Sequence, residues 1–130
     1  AVAETDHGLA IFIGIKKGDQ EKDALYLARK IAELRLFEDK AGHIHLNILE
    51  TGGEALVISQ FTLYADCRKG RRPSFVTAES PEKAEILYRL FIRALAKNGV
   101  PLQEGVFRKM MEVSFINDGP FTLILESPAL

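Results

Sequence analysis

Apolar positions recur along this chain with two periods, and the switches between them mark its elements. Residues 8–16, GLAIFIGIK, are too short for a typical helix and rich in isoleucine and phenylalanine, which predicts a strand. Asp19 follows as a side chain able to cap the free amides of a helix start. Behind it Ala24, Leu25, Ala28, Ile31 and Leu34, with Leu27 at the stripe's edge, predict an amphipathic helix of roughly four to five turns. Residues 43–49, HIHLNIL, alternate as a short strand between turns at Gly42 and at Gly52 and Gly53, and residues 54–64 predict a stronger one. Ser80 as N-cap and Pro81 in the first turn open a second helix. Its stripe, Ala84, Leu87, Tyr88, Phe91, Ile92 and Leu95, gives one buried face, and Gly99 and Pro101 stop it. Two more strands are predicted at residues 105–116 and 121–126, joined by the tight turn NDGP.

The order β-α-β-β-α-β-β, with no repeat, linker or low-complexity segment, indicates a single α+β domain over residues 1–130. The expected architecture is mixed, mainly antiparallel sheet with two helices packed on one face. A chain of 130 residues can bury a core without covalent staples. No apolar run approaches the roughly 20 residues of a membrane span, and the opening AVAETDHG has no signal-peptide pattern. The single cysteine, Cys67, precludes an internal disulfide and suits a reducing compartment. A cytoplasmic protein with no membrane partner is expected. Its formal net charge of -1 argues against wholesale coating of nucleic acid but leaves room for a local phosphate-binding patch.

Phosphate-loop, dinucleotide-fold and nucleophile-elbow motifs are all missing. His43 and His45 would share one strand face, but with no cysteine or carboxylate ligand nearby they read as exposed strand residues. No metal and no cofactor are expected. Cys67 would need a histidine within reach to act as a nucleophile, so an incidental thiol is the simpler reading.

Three stretches carry candidate chemistry. In SQFTL, period-two geometry puts Ser59, Phe61 and Leu63 on one face and Gln60 and Thr62 on the other, with Leu56 and Ile58. Each face mixes apolar with polar, which suggests a doubly buried strand losing regularity near Ser59. Such an interrupted end can present amides and hydroxyls to a ligand, the raw material of an oxyanion hole. Directly after it stand Arg68, Lys69, Arg71 and Arg72, with no acid between Asp66 and Glu79, a candidate phosphate anchor. The third is NDGPFT, residues 117–122. It suits a hairpin turn, yet Gly119 also lets backbone carbonyls approach a ligand closely. X-Pro bonds are cis in only about 5–6% of cases, and sequence leaves the Gly119–Pro120 isomer open.

Taken together, SQFTL, YADCRKGRRPSF and NDGPFT closely resemble the D-aminoacyl-tRNA deacylases, the D-tyrosyl-tRNA(Tyr) deacylase family of bacteria and eukaryotes. Both signatures of that family, Ser-Gln-x-x-Leu and Asn-x-Gly-Pro-x-Thr, stand intact, and the similarity runs from GLAIFIGI to FTLILES. The resemblance implies a homodimeric enzyme that hydrolyses the ester joining a D-amino acid, or glycine, to the 3′ end of tRNA, with RNA and not DNA as its partner. By position, Ser59, Gln60, Phe61 and Thr62 would hold the reacting ester. Gly119 and Pro120, joined by a cis bond, would enter the partner's site and meet the α-ammonium, with Asn117 and Thr122 beside them in substrate binding. Phe107 and Met111 would line the pocket, and Arg68, Lys69, Arg71 and Arg72 would hold the tRNA end. The resemblance also implies a further N-terminal strand segment that has no counterpart in this sequence. An activated ester needs only aligned water and an oxyanion hole, and no base is evident to turn Thr62 into a nucleophile. Rejection of L-substrates would be steric. Two alternatives remain at this point: the animal-type deacylase acting on L-alanyl-tRNA, and a non-catalytic tRNA-binding module of the editing type.

Overall fold

The computed structural model describes residues 3–127, so Ala1 and Val2 of the opening stretch lie outside it. Along the chain come β1 (Gly8–Ile13), α1 (Glu21–Glu33), β2 (Phe37–Glu38), β3 (Ile44–Leu46) and α2 (Ile48–Thr51). Then follow β4 (Glu54–Ser59), a 3₁₀ turn (Phe61–Tyr64), α3 (Pro81–Lys97) and β5 (Leu102–Glu104).

The expected mainly antiparallel sheet is wrong. The main sheet has the order β1-β4-β5 and is parallel throughout, with Gly8 facing Glu54, Ile13 facing Ser59 and Val57 facing Glu104. The reason is topological: α1 lies between β1 and β4, and α3 between β4 and β5, and a helical crossover returns the chain in its starting direction. Among the described residues the antiparallel ladder is the two-stranded β2-β3 ribbon, with isolated antiparallel bridges at Lys16–Ala78 and Asp66–Ser74.

Residues 105–116 and 121–126, expected as strands, form no ladder; the short strand β5 just before them pairs instead. Beyond Gly105, whose N donates to Val57 O at 3.1 Å, they pair with no strand among the described residues, and Ile116 (92% exposed) and Ile124 (88%) stand in the open. A third helix, α2, replaces the end of the HIHLNIL strand. There Asn47 Oδ1 accepts from Glu50 N at 2.9 Å, Glu50 Oε1 accepts from Asn47 N at 3.0 Å, and Gly52 closes the turn with φ 70. The first cap also moves by one residue. Gln20 is the N-cap of α1, while Asp19 Oδ2 accepts from Lys16 N at 2.8 Å.

Helices α1 and α3 pack on each other and on the sheet face carrying Ala55 and Val57, both fully buried. Alanines 24, 28 and 32 keep that side of α1 small, which lets Tyr88, Phe91 and Leu95 of α3 fill the interior. The opposite face of β4 buries Ile58. The three parallel strands end together at Ile13, Ser59 and Glu104, the end at which open α/β sheets bind ligands.

Candidate active site

SQFTL does not continue as a strand. Gln60 N makes one last ladder-like bond to Ile13 O at 2.8 Å, and the chain then coils into the 3₁₀ turn. Gly14 makes this possible from the neighbouring strand. A Cβ there would stand 3.1 Å from Leu63 Cβ and 3.1 Å from the Tyr64 ring, so the turn folds against bare backbone. The first amides of a helical turn have no internal acceptor. Here Phe61 N and Thr62 N donate to nothing among the described residues, while Leu63 N and Ala65 N are bonded to Gln60 O and Thr62 O. Two free N–H groups thus sit two and three residues beyond a half-buried Ser59, just past exposed Gln60. The Thr62 hydroxyl has no hydrogen-bonded base among the described residues. Burial, then Asp19, Glu126 and Asp23, push the neighbouring Tyr64 hydroxyl above its usual range, so it keeps its proton.

The basic stretch is a loop with a fixed base. Asp66 N donates to Ser74 O at 2.7 Å and Ser74 N returns a bond to Asp66 O at 2.8 Å. At its tip Gly70 takes φ 65 in open space. The four cations are not equivalent. Arg68 forks onto Asp66 with Nε at 2.9 Å from Oδ1 and Nη2 at 2.8 Å from Oδ2. That hydrogen bonding holds the Asp66 carboxyl down at about 2. Lys69, Arg71 and Arg72 are exposed and have no anionic partner among the described residues. Just past the loop's base the Phe75 ring meets Phe61 edge-on, centroids 5.0 Å apart, which joins the loop to the end of β4.

In NDGPFT the Asn117 side chain spans the turn. Its Nδ2 donates to Thr122 Oγ1 at 2.7 Å and its Oδ1 accepts from Phe121 N at 2.9 Å. Asn117 and Thr122, expected to bind substrate, spend these polar atoms on each other and brace the turn. Between them Gly119 has φ 135 and the Gly119–Pro120 bond is cis. No hydrogen bond or ring contact among the described residues joins residues 117–122 to residues 59–62 of the same chain. Residues 117–122 border a cleft of about 1350 Å³ along the free edge of β1, which residues 59–62 do not line and which the 3₁₀ turn reaches only through Leu63 and Tyr64. Phe107 and Met111 lie elsewhere. The Phe107 ring packs on Tyr88 at 5.4 Å, and Met111 lies over Gly105 near Ile58, at the strand ends beside Ser59.

The D-Tyr-tRNA(Tyr) deacylase family model matches residues 1–126. The chain belongs to the D-Tyr-tRNA(Tyr) deacylase family. Among curated relatives, the D-aminoacyl-tRNA deacylase of Desulforudis audaxviator is 52% identical over 129 residues, covering 99% of this chain and 87% of its own. That of a Geobacillus species is 50% identical over 126 residues, 97% of this chain and 83% of its own. Among solved structures, one of the c-Myc DNA unwinding element binding protein superposes with a TM-score of 0.83 at 37% identity, covering 92% of this chain and 81% of that one.

In this deacylase-family chain the signature segments were visible in sequence, but several residues that position them were not. Gly14 and Gly105, each one residue past the end of a strand flanking β4, carry no motif, and only the distances to Leu63 and Met111 reveal their use. Phe75 closes the RRPSF stretch of the basic loop, and its register against Phe61 is set by contacts no local pattern contains. Asp66 marked the edge of an acid-free stretch, although its two-residue spacing from Arg68 was a readable sign of pairing. Among the described residues no three His, Cys, Asp or Glu side chains converge as a metal site.

Proposed function

We propose that this chain hydrolyses the ester linking a D-amino acid, or glycine, to the 3′-terminal ribose of tRNA. What carries the reading is the family match over residues 1–126, with Ser-Gln-x-x-Leu falling at the carboxyl end of the central parallel strand. Phe61 N and Thr62 N are donors free to receive the oxyanion that forms when water adds to the ester carbonyl. Collapse of that intermediate breaks the bond to the ribose oxygen, which leaves with the proton the water gives up, relayed through solvent or the adjacent 2′-hydroxyl. Ser59, Gln60 and Thr62 act as positioners, and Thr62 is not a nucleophile because nothing would take its proton.

The α-ammonium is received by the carbonyls of Gly119 and Pro120 from a second copy of the chain. That copy makes a homodimer, for which the exposed Phe115, Ile116 and Ile124 offer apolar surface. Rigid backbone at this position leaves no room for an L side chain, whereas glycine passes. Lys69, Arg71 and Arg72 hold phosphates of the tRNA end, and Phe107 and Met111 bound the amino-acid side chain. A tRNA substrate is consistent with a cytoplasmic protein. No helix among the described residues is long and apolar enough to cross a membrane.

The test is deacylation of matched D- and L-tyrosyl-tRNA, with and without a chelator. The D-ester is hydrolysed, the L-ester is spared, and the chelator changes neither rate. Equal hydrolysis of both isomers refutes the steric filter. Loss of activity with chelator refutes a reaction run by amides and water alone.

A further inference from the structure

Phe61 and Phe75 are large apolar rings left in the open, 60% and 38% exposed, and Val76 beside them is 71% exposed. Looseness does not explain this, because the backbone on both sides of Phe75 is tied down. Ahead of it Asp66 and Ser74 exchange two hydrogen bonds. Behind it Lys17 N donates to Thr77 O at 2.9 Å and Glu79 N to Ile15 O at 3.0 Å, fastening the chain to the segment that leaves β1. The Phe61 and Phe75 rings meet edge-on, with their planes at 62°. An edge-on pair, unlike a stacked one, leaves flat ring faces open to a third π-system. On one side of the pair stand Lys69, Arg71 and Arg72, exposed and without an anionic partner among the described residues. On the other side Phe61 itself carries one of the two free amides. Cations beside an exposed aromatic face are what a single nucleic-acid strand requires, the first for its phosphates and the second for its bases.

We propose that Phe75, supported by Phe61, is a stacking platform for an unpaired nucleobase of the tRNA 3′ end. The base lies between the ester at the Phe61 and Thr62 amides and the phosphates held by the basic loop. The inference rests on the deacylase reading and adds a base-binding residue to it. Cations alone hold a strand in many registers, since every phosphate is alike. A base held on a ring stops the strand from sliding, and so fixes which ribose reaches the amides. Any base serves, because every base has a π-face.

The experiment measures Kd for uncharged tRNA, either intact or with abasic residues in its unpaired 3′ end, and kcat and KM on D-tyrosyl-tRNA. Wild type, Phe75→Tyr and Phe75→Leu are compared, with thermal melts and sizing alongside. Leucine keeps an apolar contact for Phe61 but has no ring. Phe75→Leu weakens binding of intact tRNA by about tenfold, as expected for one lost stacked base. It raises KM alike and leaves kcat within about twofold, whereas Phe75→Tyr stays within about twofold of wild type throughout. Removing the bases weakens wild type by a similar factor and Phe75→Leu by less than about twofold. The salt slope of Phe75→Leu matches wild type, because stacking releases no counterions. An equal penalty for base removal in both chains, a shallower salt slope, or an unchanged KM overturns the proposal. So does lost self-association with tRNA affinity intact, which gives the rings to a second protein chain. If Phe75→Leu does not fold, the same abasic comparison on Phe61→Leu decides the matter. Wild type that binds tRNA in this base-dependent way yet hydrolyses no D-ester refutes the deacylase reading and leaves the platform standing.

Discussion

Replacing Asp23 tests how Ser127 is fastened to the first helix. Asp23 is 5% exposed in the first turn of α1. Its Oδ2 accepts from Gln20 N at 2.7 Å, and its Oδ1 accepts from Ser127 Oγ at 2.6 Å across 104 positions of sequence. A hydrogen bond to a charged group contributes about 1.5–3 kcal/mol, and a helix-start contact about 1 kcal/mol. The favourable position against the helix dipole adds up to about 1 kcal/mol, part of it already counted in those bonds. Asp23→Ala is therefore expected to cost about 3 kcal/mol in urea unfolding, or roughly 12 °C in Tm for a chain of this size. The Ser127 hydrogen bond, outweighing burial, lowers the Asp23 pKa from 3.8. A carboxyl whose folded pKa is depressed contributes its full stability above the unfolded value and loses it as pH falls through the folded one. The gap between wild type and Asp23→Asn should thus be flat above about pH 5 and shrink progressively below about pH 4. Asp19, pushed up mainly by burial and partly by Asp23, relaxes downward in the variant, which trims the gap without reversing it. A gap that stays constant from pH 6 to pH 2, or an Asp23→Ala protein as stable as wild type, refutes the fastening.

The loop and one strained residue give further outcomes. Asp66→Asn releases Arg68, and the plot of log K against log salt for tRNA should steepen by about 0.7–0.9, one phosphate's worth. Arg71→Ala combined with Arg72→Ala should flatten the same plot by about twice that; slopes indifferent to both changes would remove the loop from the interface. Arg108 is exposed and held at φ 64. Arg108→Gly should raise stability by about 0.5–1 kcal/mol in urea, and a loss instead would mean the arginine side chain anchors that turn.

What sequence revealed was what is local. Ser80, Pro81 and the stripe from Ala84 to Leu95 specify α3 through contacts a few residues apart, and α3 spans Pro81–Lys97. The mixed faces of SQFTL pointed to trouble near Ser59, where β4 does end. They could not show the 3₁₀ turn, because its cause lies in Gly14, just past the end of β1. Strand direction is likewise non-local: β4 reads the same in either orientation, and only its helical connections decide. The apolar alternation of residues 105–126 describes a segment able to pair, and pairing needs a partner that the pattern does not contain. At the Asn117–Thr122 pair, a motif identity was legible while the role of each polar atom was not.

That pair bears on how the two signatures work together. With their side chains closed on each other, Asn117 and Thr122 stiffen the turn and leave Gly119 and Pro120 exposed at its tip. A turn braced in this way and exposed at its tip is suited to entering a site, and among the described residues 59–62 make no hydrogen bond with it. The free amides of Phe61 and Thr62 can hold an oxyanion but cannot sense the handedness of the neighbouring carbon. The proposed homodimer assigns these tasks to different copies: one positions the ester and stabilises its charge, and the other's turn tests the configuration. Chemistry and discrimination would then be separable. Loosening the Asn117 brace should relax chiral selection before it slows hydrolysis of the D-ester.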